Sequence, residues 1–378
     1  MQPVVIVGAG KIGITIAALL LRSGSYEVRM VDQDAARLAS VPDHAHLSRH
    51  AIDPAAKEGL ASVLRGAFAV MSAVPYHATG RIADAAAAAG VHYLDLTEDV
   101  ATTRHVKTLA AEGSTAFAPQ CGLAPGFIAI VAHDIARRFE SLDTVRMRVG
   151  ALPQYPSNAL GYNLTWSTDG VINEYCEPCE AIVDGRLMEV PALEGLEQFG
   201  IDGIEYEAFN TSGGLGTLCE TLAGRVRTLN YKTIRYPGHA AIMKVLLQDL
   251  RLSERRDLMR DIFERALPST MQDVVVVFVT VSGMKQGRLV QESYASRIFG
   301  EVIDGTAYSA IQLTTAAGIC VMLDLLASGA LPRQGFIRQE DVTLAQFLGN
   351  RFGRIYAMPE AAGAEVVRLA AGARGAAA

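Results

Sequence analysis

The stretch that most constrains this chain is Val4-Val5-Ile6-Val7-Gly8-Ala9-Gly10-Lys11-Ile12-Gly13. An apolar strand pattern runs straight into glycines at G-x-G-x-x-G spacing. A helix pattern, KIGITIAALLLRSG, follows and closes at Gly24. The next strand, YEVRMVD, ends on Asp32, 19 residues after Gly13. Glycines at this spacing are weak evidence alone. Between a strand and a helix, with an acid ending the second strand, they describe a dinucleotide site. Gly8 permits the tight turn, Gly10 lets the backbone approach a pyrophosphate, and Gly13 lets helix and strand pack closely. Ala9, Lys11 and Ile12 complete the loop, and the helix start offers free N–H groups to phosphate. Asp32 can accept from ribose hydroxyls and repels a 2′-phosphate. Gln33 and Asp34 are not basic, although Arg37 is near, so the cofactor expected is NAD rather than NADP.

Strand and helix patterns keep alternating to about residue 118, with further strands near 45–49, AFAVMSAVP, VHYLDL and STAFAP. Such alternation predicts βαβ units on a parallel, doubly wound sheet. After QCGLAPG (120–126) the rhythm changes. DTVRMRVGALP, LGYNLTW (160–166), a hairpin around Asp184-Gly185, TLNYKTIRYPGH and the strands 273–283 and 288–299 predict an α+β domain with a large, mostly antiparallel sheet. The expected organisation is a Rossmann domain over 1–122 and an α+β domain over 123–305, which the family resemblance given below implies is an inserted substrate and dimerisation domain. A C-terminal helical segment over 306–360 and a flexible tail over 361–378 follow. The long apolar helix is placed at 306–328.

Composition narrows the partners. Net charge is −6 and no block of Lys and Arg stands out, which argues against nucleic acid and anionic membrane. The N-terminus enters a strand without a basic leader, and runs such as VVVVFVTV are too short to span a bilayer. A cytoplasmic protein is expected. The five cysteines include Cys176 and Cys179 as C-x-x-C, but no second pair follows at zinc spacing. Reduced structural thiols and no metal are expected.

Ligands in open α/β sheets lie beyond the carboxyl ends of the strands. Ala73, Val74 and Pro75 at the end of the fourth strand are therefore expected to line the cofactor. Tyr76 and His77 can reach toward a substrate. Asp53 either sits near the adenine or caps the helix that Pro54 opens. Asp95, inside HYLDLTEDV, needs a reason to be buried: it caps the next helix or it faces an amine. Lys232 and Arg235 point to opposite faces of one strand, so at most one faces a given pocket. His239, at a helix start, is either a proton shuttle or a capped surface histidine.

Seven motifs in order, VGAGKIG, SAVPYH, YLDLTED, QCGLAPGF, GALPQYPSNALGYNLTWS, EAFNTSGG and KTIRYPGH, resemble the saccharopine dehydrogenase superfamily. Within it the chain looks most like the L-lysine 6-dehydrogenase branch. The resemblance implies NAD-dependent oxidative deamination of the lysine ε-amine, giving allysine, which cyclises to 1-piperideine-6-carboxylate, with ammonia and NADH. It implies a dimer interface in the second domain, hence a homodimer or tetramer. It also places Trp166 over the substrate. Saccharopine reductases carry a carboxylate-binding arginine in the segment that reads FNTSGG here. Thr211, Ser212 and two glycines replace it, which suits a smaller substrate. In the expected scheme Asp95 binds and deprotonates the amine, Cys121 lines the site, Lys232 or Arg235 holds the carboxylate, and His239 activates water. Two alternatives stay open: a saccharopine- or polyamine-type C–N oxidoreductase, and an NAD-binding protein without turnover. Lysine, ornithine and other diamines are not separated by the sequence.

Overall fold

The computed structural model describes residues 1–54 and 57–357. The expected tail, 361–378, and the end of the segment before it lie outside the described residues.

The first sheet is parallel, as expected. Its strands are β1 (Gln2–Val7), β2 (Tyr26–Asp32), β3 (Leu47–Ala51), β4 (Ala69–Ser72), β5 (His92–Asp95) and β6 (Ala116–Ala118). Helices α1 (Lys11–Arg22), α2 (Ala35–Ala39), α3 (Lys57–Leu64), α4 (Tyr76–Ala89) and α5 (Val100–Glu112) connect them. The order β6-β5-β4-β1-β2-β3 is that of a doubly wound fold. Strand periodicity explains its two cores. Val4 and Ile6 pack with Ile16, Ala17 and Leu20 of α1, while Val5 and Val7 pack with Leu60, Ile82 and Val106 of α3–α5. Both faces are covered, so β1 is an unbroken apolar run.

Helix α6 (Phe127–Ala136) leads into β7 (Ser141–Pro153), and α7 (Thr168–Cys176) follows. The hairpin β8 (Cys179–Val183) and β9 (Arg186–Val190) turns at Asp184-Gly185, both at positive φ. Then come β10 (Glu197–Ile201), β11 (Ile204–Asn210), α8 (Leu218–Leu222), β12 (Val226–Arg235), α9 (His239–Lys244), α10 (Arg256–Ala266), β13 (Asp273–Lys285) and β14 (Arg288–Phe299). The second sheet runs β10-β11-β12-β7-β13-β14. Only β7 and β12 pair in parallel along it. This is the mostly antiparallel sheet expected.

Two local expectations are corrected. Residues 160–166 are irregular, with a single bridge from Leu164 to Ser269. The long helix begins at residue 310, not 306, because β16 (Thr306–Tyr308) pairs with β15 (Glu301–Ile303). Strand β13 lies between β7 and β14. The helix itself, α11 (Ala310–Ala327), has the length and apolarity of a membrane span, but most of it is buried in the core. It packs on α1. A short β17 (Gly335–Phe336) then adds in parallel to β6, extending the first sheet to seven strands. Helix α12 (Leu344–Gly349) follows. Cys176 ends α7 and Cys179 opens β8, and all five cysteines are free thiols.

Candidate active site

The glycine loop has the shape that a dinucleotide requires. A side chain at Gly8 (φ +109°) would meet the Ala73 carbonyl oxygen at 2.6 Å, and one at Gly13 would meet the Gly8 carbonyl oxygen at 1.8 Å. Nothing stands within 4 Å of the position a side chain would take at Gly10. The turn is thus closed on the strand side and open at the N-terminus of α1, where no side chain caps the helix. Its free N–H groups and dipole suit a pyrophosphate. Asp32 is buried, accepting from the Ala9 N–H at 2.7 Å and the Asp34 N–H at 2.8 Å. It therefore shapes the loop as well as closing the ribose end. Asp53 follows β3 and is exposed. Whether it caps α3 falls on residues 55 and 56, outside the described residues.

A cavity of about 440 Å³ begins at this loop. Gly10, Lys11 and Ile12 form one end, with Ala73, Val74, Pro75 and Tyr76 beside them. Thr97, Glu98 and the 122–125 segment line its middle. The far wall comes from the second sheet (Gly150, Tyr231, Thr233, Arg235), from Trp166 and Glu174, and from Ile311 and Gln312 of α11. A side chain at Gly150 would strike the Ile234 carbonyl oxygen at 2.4 Å, so glycine lets β7 and β12 close there. The Trp166 indole is seated on Gly170 of α7, where any side chain would meet it at 2.4 Å.

Several expected residues are not on this wall. Asp95 is fully buried behind it. Its Oδ1 accepts from the N–H groups of Thr97 (3.0 Å) and Gln120 (2.8 Å), and its Oδ2 accepts from the Tyr93 hydroxyl (2.8 Å). Burial pushes its carboxyl up to about 6 against the pull of those donors. It ties the ends of β5 and β6 together and does not face an amine. The helix cap is Asp99, which accepts from the Thr102 N–H. Cys121 is buried outside the cavity, its thiol near the Ala118 carbonyl and the Gln339 amide, and burial raises its pKa. Lys232 faces the other side of the sheet, bonded to the Gly195 carbonyl and paired with Glu197. Thr211 and Ser212 are buried and do not line the cavity. His77 is exposed against the Tyr76 ring.

His239 is also buried behind the wall. Its Nδ1 lies 2.9 Å from the Leu160 carbonyl oxygen, which only an N–H can satisfy, leaving Nε2 to accept from the Tyr175 hydroxyl at 3.1 Å. The Tyr175 oxygen accepts from Arg235 Nε at 2.8 Å. Burial and the Arg235 charge push the imidazole down to about 3. His239 is thus neutral throughout the physiological range and orients Arg235 through Tyr175. It is not a proton shuttle. Of Lys232 and Arg235, Arg235 is the one that faces the cavity.

Two further acids on the wall, Glu98 and Glu174, were not among the expected site residues. Burial raises Glu98 to about 7, with Asp99 and Asp95 adding to it. Burial and the neighbouring Glu98 raise Glu174 to about 8, opposed by Arg235. Glu98 was visible as the second acid of YLDLTED. Glu174 had one sequence signal: it shares α7 with the buried Val171, Ile172 and Tyr175.

A glycine-loop dinucleotide site opening onto a cavity of buried titratable groups defines a nicotinamide-dependent oxidoreductase with a Rossmann domain and a separate substrate domain. Residues 4–120 match the saccharopine dehydrogenase NADP binding domain, and residues 122–352 match the saccharopine dehydrogenase C-terminal domain. The chain belongs to the saccharopine dehydrogenase family. Saccharopine dehydrogenase (L-Glu forming) from Saccharomyces cerevisiae superposes with a TM-score of 0.73 at 15% identity, covering 94% of this chain and 96% of that one. A probable dehydrogenase from Thermotoga maritima gives a TM-score of 0.45 at 11% identity over 92% and 94% of the two chains. The cavity walls come from this chain's own sequence, and at such identities only the fold carries over.

Proposed function

We propose that this protein oxidises a primary amine with NAD, and that its substrate is the ε-amine of L-lysine. One observation supports the reading above the others: the cavity that begins at the glycine loop carries, besides the exposed Asp169, two carboxyls raised by burial and one oriented arginine. Carboxylates bind an ammonium, and an arginine binds a carboxylate by paired hydrogen bonds. A chain of methylenes joining an amine to an amino-acid head offers both charges. Bound at the loop, the nicotinamide supplies the hydride acceptor. The residues do the rest: Glu98 and Glu174 hold the ammonium, Arg235 holds the carboxylate, and Trp166, Leu96 and Leu123 cover the methylenes. Loss of hydride from the ε-carbon would leave an imine, which water hydrolyses, so the products are the aldehyde allysine, ammonia and NADH.

The test is a panel of L-lysine, L-ornithine, 1,5-diaminopentane and simple alkylamines with NAD, followed by NADH absorbance. Lysine-dependent NADH is the expected result. NADH consumption that requires both lysine and 2-oxoglutarate would instead identify an enzyme making a secondary amine. The cofactor reading rests on Asp32, whose charge opposes a 2′-phosphate. NAD should be used well ahead of NADP, and Asp32→Ala should narrow the gap. Equal efficiency with NADP in the unmodified protein contradicts it.

A further inference from the structure

We propose that Glu98 and Glu174 work as one proton-sharing pair, a carboxylate from each domain, that grips the substrate ammonium and removes its proton before the C–N bond is oxidised. The inference rests on the reading of the cavity as an amine site.

The pair is assembled by the segment 211–214. The Ser212 N–H donates to the Glu174 carbonyl at 3.1 Å. Gly213, at φ +82°, lies so close to Glu98 that a side chain there would meet the Glu98 carbonyl oxygen at 2.7 Å and its Cβ at 2.9 Å. Gly214 is pressed on the Tyr231 ring, where a side chain would stand at 2.2 Å. One tight backbone turn thus touches both a glutamate from the loop after β5 and one from α7, and both side chains line the cavity. This is the role of the segment where saccharopine reductases are expected to carry an arginine.

The Glu174 side chain points to a ligand. It is 7% exposed and lines the cavity, and its carboxylate accepts no hydrogen bond from any described residue. A buried carboxylate left without a donor is costly, and a bound ammonium supplies the missing donors. The charged and titratable neighbours are few. Asp95 and Asp99 act on Glu98 from its own loop. Arg235 on β12 opposes the rise of Glu174, and Tyr162, Tyr175, Tyr231 and Cys179 feel the Glu174 charge. Lys11 and Asp169 stand elsewhere on the wall.

The two carboxyls line one cavity and the Glu98 charge raises Glu174, so one proton stays on the pair near neutrality. An arriving R–CH2–NH3+ displaces that proton to solvent and lies between two carboxylates. One carboxylate oxygen then takes a proton from nitrogen. The N–H bond breaks with its electrons left on nitrogen, an O–H bond forms, and the products are a neutral amine and a carboxylic acid. That proton restores the singly protonated pair, so the one proton lost to solvent per deprotonation is the one displaced on binding. A base poised near neutral pH is the efficient one for this step.

The test has two arms. In the first, 13C-carboxyl NMR follows Glu98 and Glu174 in the apoprotein across pH. Glu174 should titrate above neutrality, and Glu98→Gln should lower its midpoint by about one unit or more. In the second, kcat/KM for L-lysine is measured against pH. Glu98→Gln and Glu174→Gln should each cut turnover by about a hundredfold. The double variant should lose little more than either alone, because the pair acts as a unit. If Glu174→Gln does not fold, Glu98→Gln carries both arms from the other domain. Titrations that ignore each other, or near-normal turnover in both variants, overturn the pair while leaving amine oxidation standing. Coupled titrations with no amine oxidised overturn the amine reading, and the pair's part in it with that.

Discussion

At the scale of single residues, the acids of this chain divide by what their oxygens already hold. Asp95 is engaged by three donors and has nothing left for a ligand. Asp95→Asn replaces a charged acceptor by a neutral one for the Thr97 and Gln120 N–H groups and makes the Tyr93 hydroxyl turn from donor to acceptor, so the folded protein should lose about 1–3 kcal/mol, the scale for weakening buried hydrogen bonds to a charged acceptor. Turnover of the folded fraction should stay near normal. Thermal melting and steady-state rates on the one variant decide this, and a hundredfold loss of turnover at an unchanged melting point would return Asp95 to the reaction. Glu174 is the reverse case. Its folded pKa, about 8, lies above the ordinary value, so the fold favours the protonated form. Its contribution to stability is present at low pH and is lost as pH rises toward 8. The apoprotein carrying Glu174→Gln should therefore melt above the parent at pH 9 and close to it at pH 5. A gap that widens toward low pH would contradict the assignment. The glycine loop was legible in the sequence because its mechanics are backbone mechanics, fixed by which residues lack a side chain. The choice among Asp95, Glu98 and Asp99 was not legible. It depends on where the chain turns after β5 and on which N–H groups of the 119–121 segment arrive there, and local sequence records neither.

At the scale of elements, the clearest case is the start of α11. Residues 306–308 carry no break in apolar character, so the pattern runs the helix too far back. What fixes the boundary is a capping box, Ser309 with Gln312, together with Asp273 at the start of β13. The Asp273 oxygens accept from the Ala310 N–H at 2.6 Å and the Ile311 N–H at 3.0 Å. A carboxylate distant in sequence thus closes a helix whose first turn lines the cavity through Ile311 and Gln312. Asp273→Ala leaves two buried N–H groups without an acceptor and should cost about 2–4 kcal/mol in denaturant unfolding. It should also loosen substrate binding more than NAD binding, because the glycine loop is built separately. An unfolding midpoint equal to the parent's would contradict this. The 160–166 segment shows the opposite failure. Its alternation resembles a strand, yet Asn158 ties the chain into a loop by donating to the Tyr162 carbonyl at 2.7 Å. That loop is what carries Trp166 to the cavity.

At the scale of the whole molecule, the site exists only because two separately patterned domains meet. The Rossmann domain supplies the loop and Glu98, and the second domain supplies Arg235, Trp166 and Glu174. Alternating strands and helices made both sheets readable, but no periodicity describes the seam between them. The second sheet raises a further question at its outer end. Strand β14 is the last strand in the order, and its free edge is 12 residues long. Natural proteins rarely leave so long an edge unprotected. Leu289 is 74% exposed and Phe299 43% exposed at its two ends, and Val302 just beyond is 70% exposed. Charges on β14 do not close the edge, because Arg138 and Lys285 pair with Glu292 from within the same domain. We therefore expect a second copy of the chain to cover this end of the sheet. Light scattering at micromolar concentration should give two or four times the chain mass of 40.3 kDa. Leu289→Glu with Phe299→Glu should shift the population toward single chains, with the NAD site intact because the glycine loop lies in the other domain. A single-chain mass for the unmodified protein at that concentration would end the expectation, and an unchanged assembly in the double variant would move the interface away from β14.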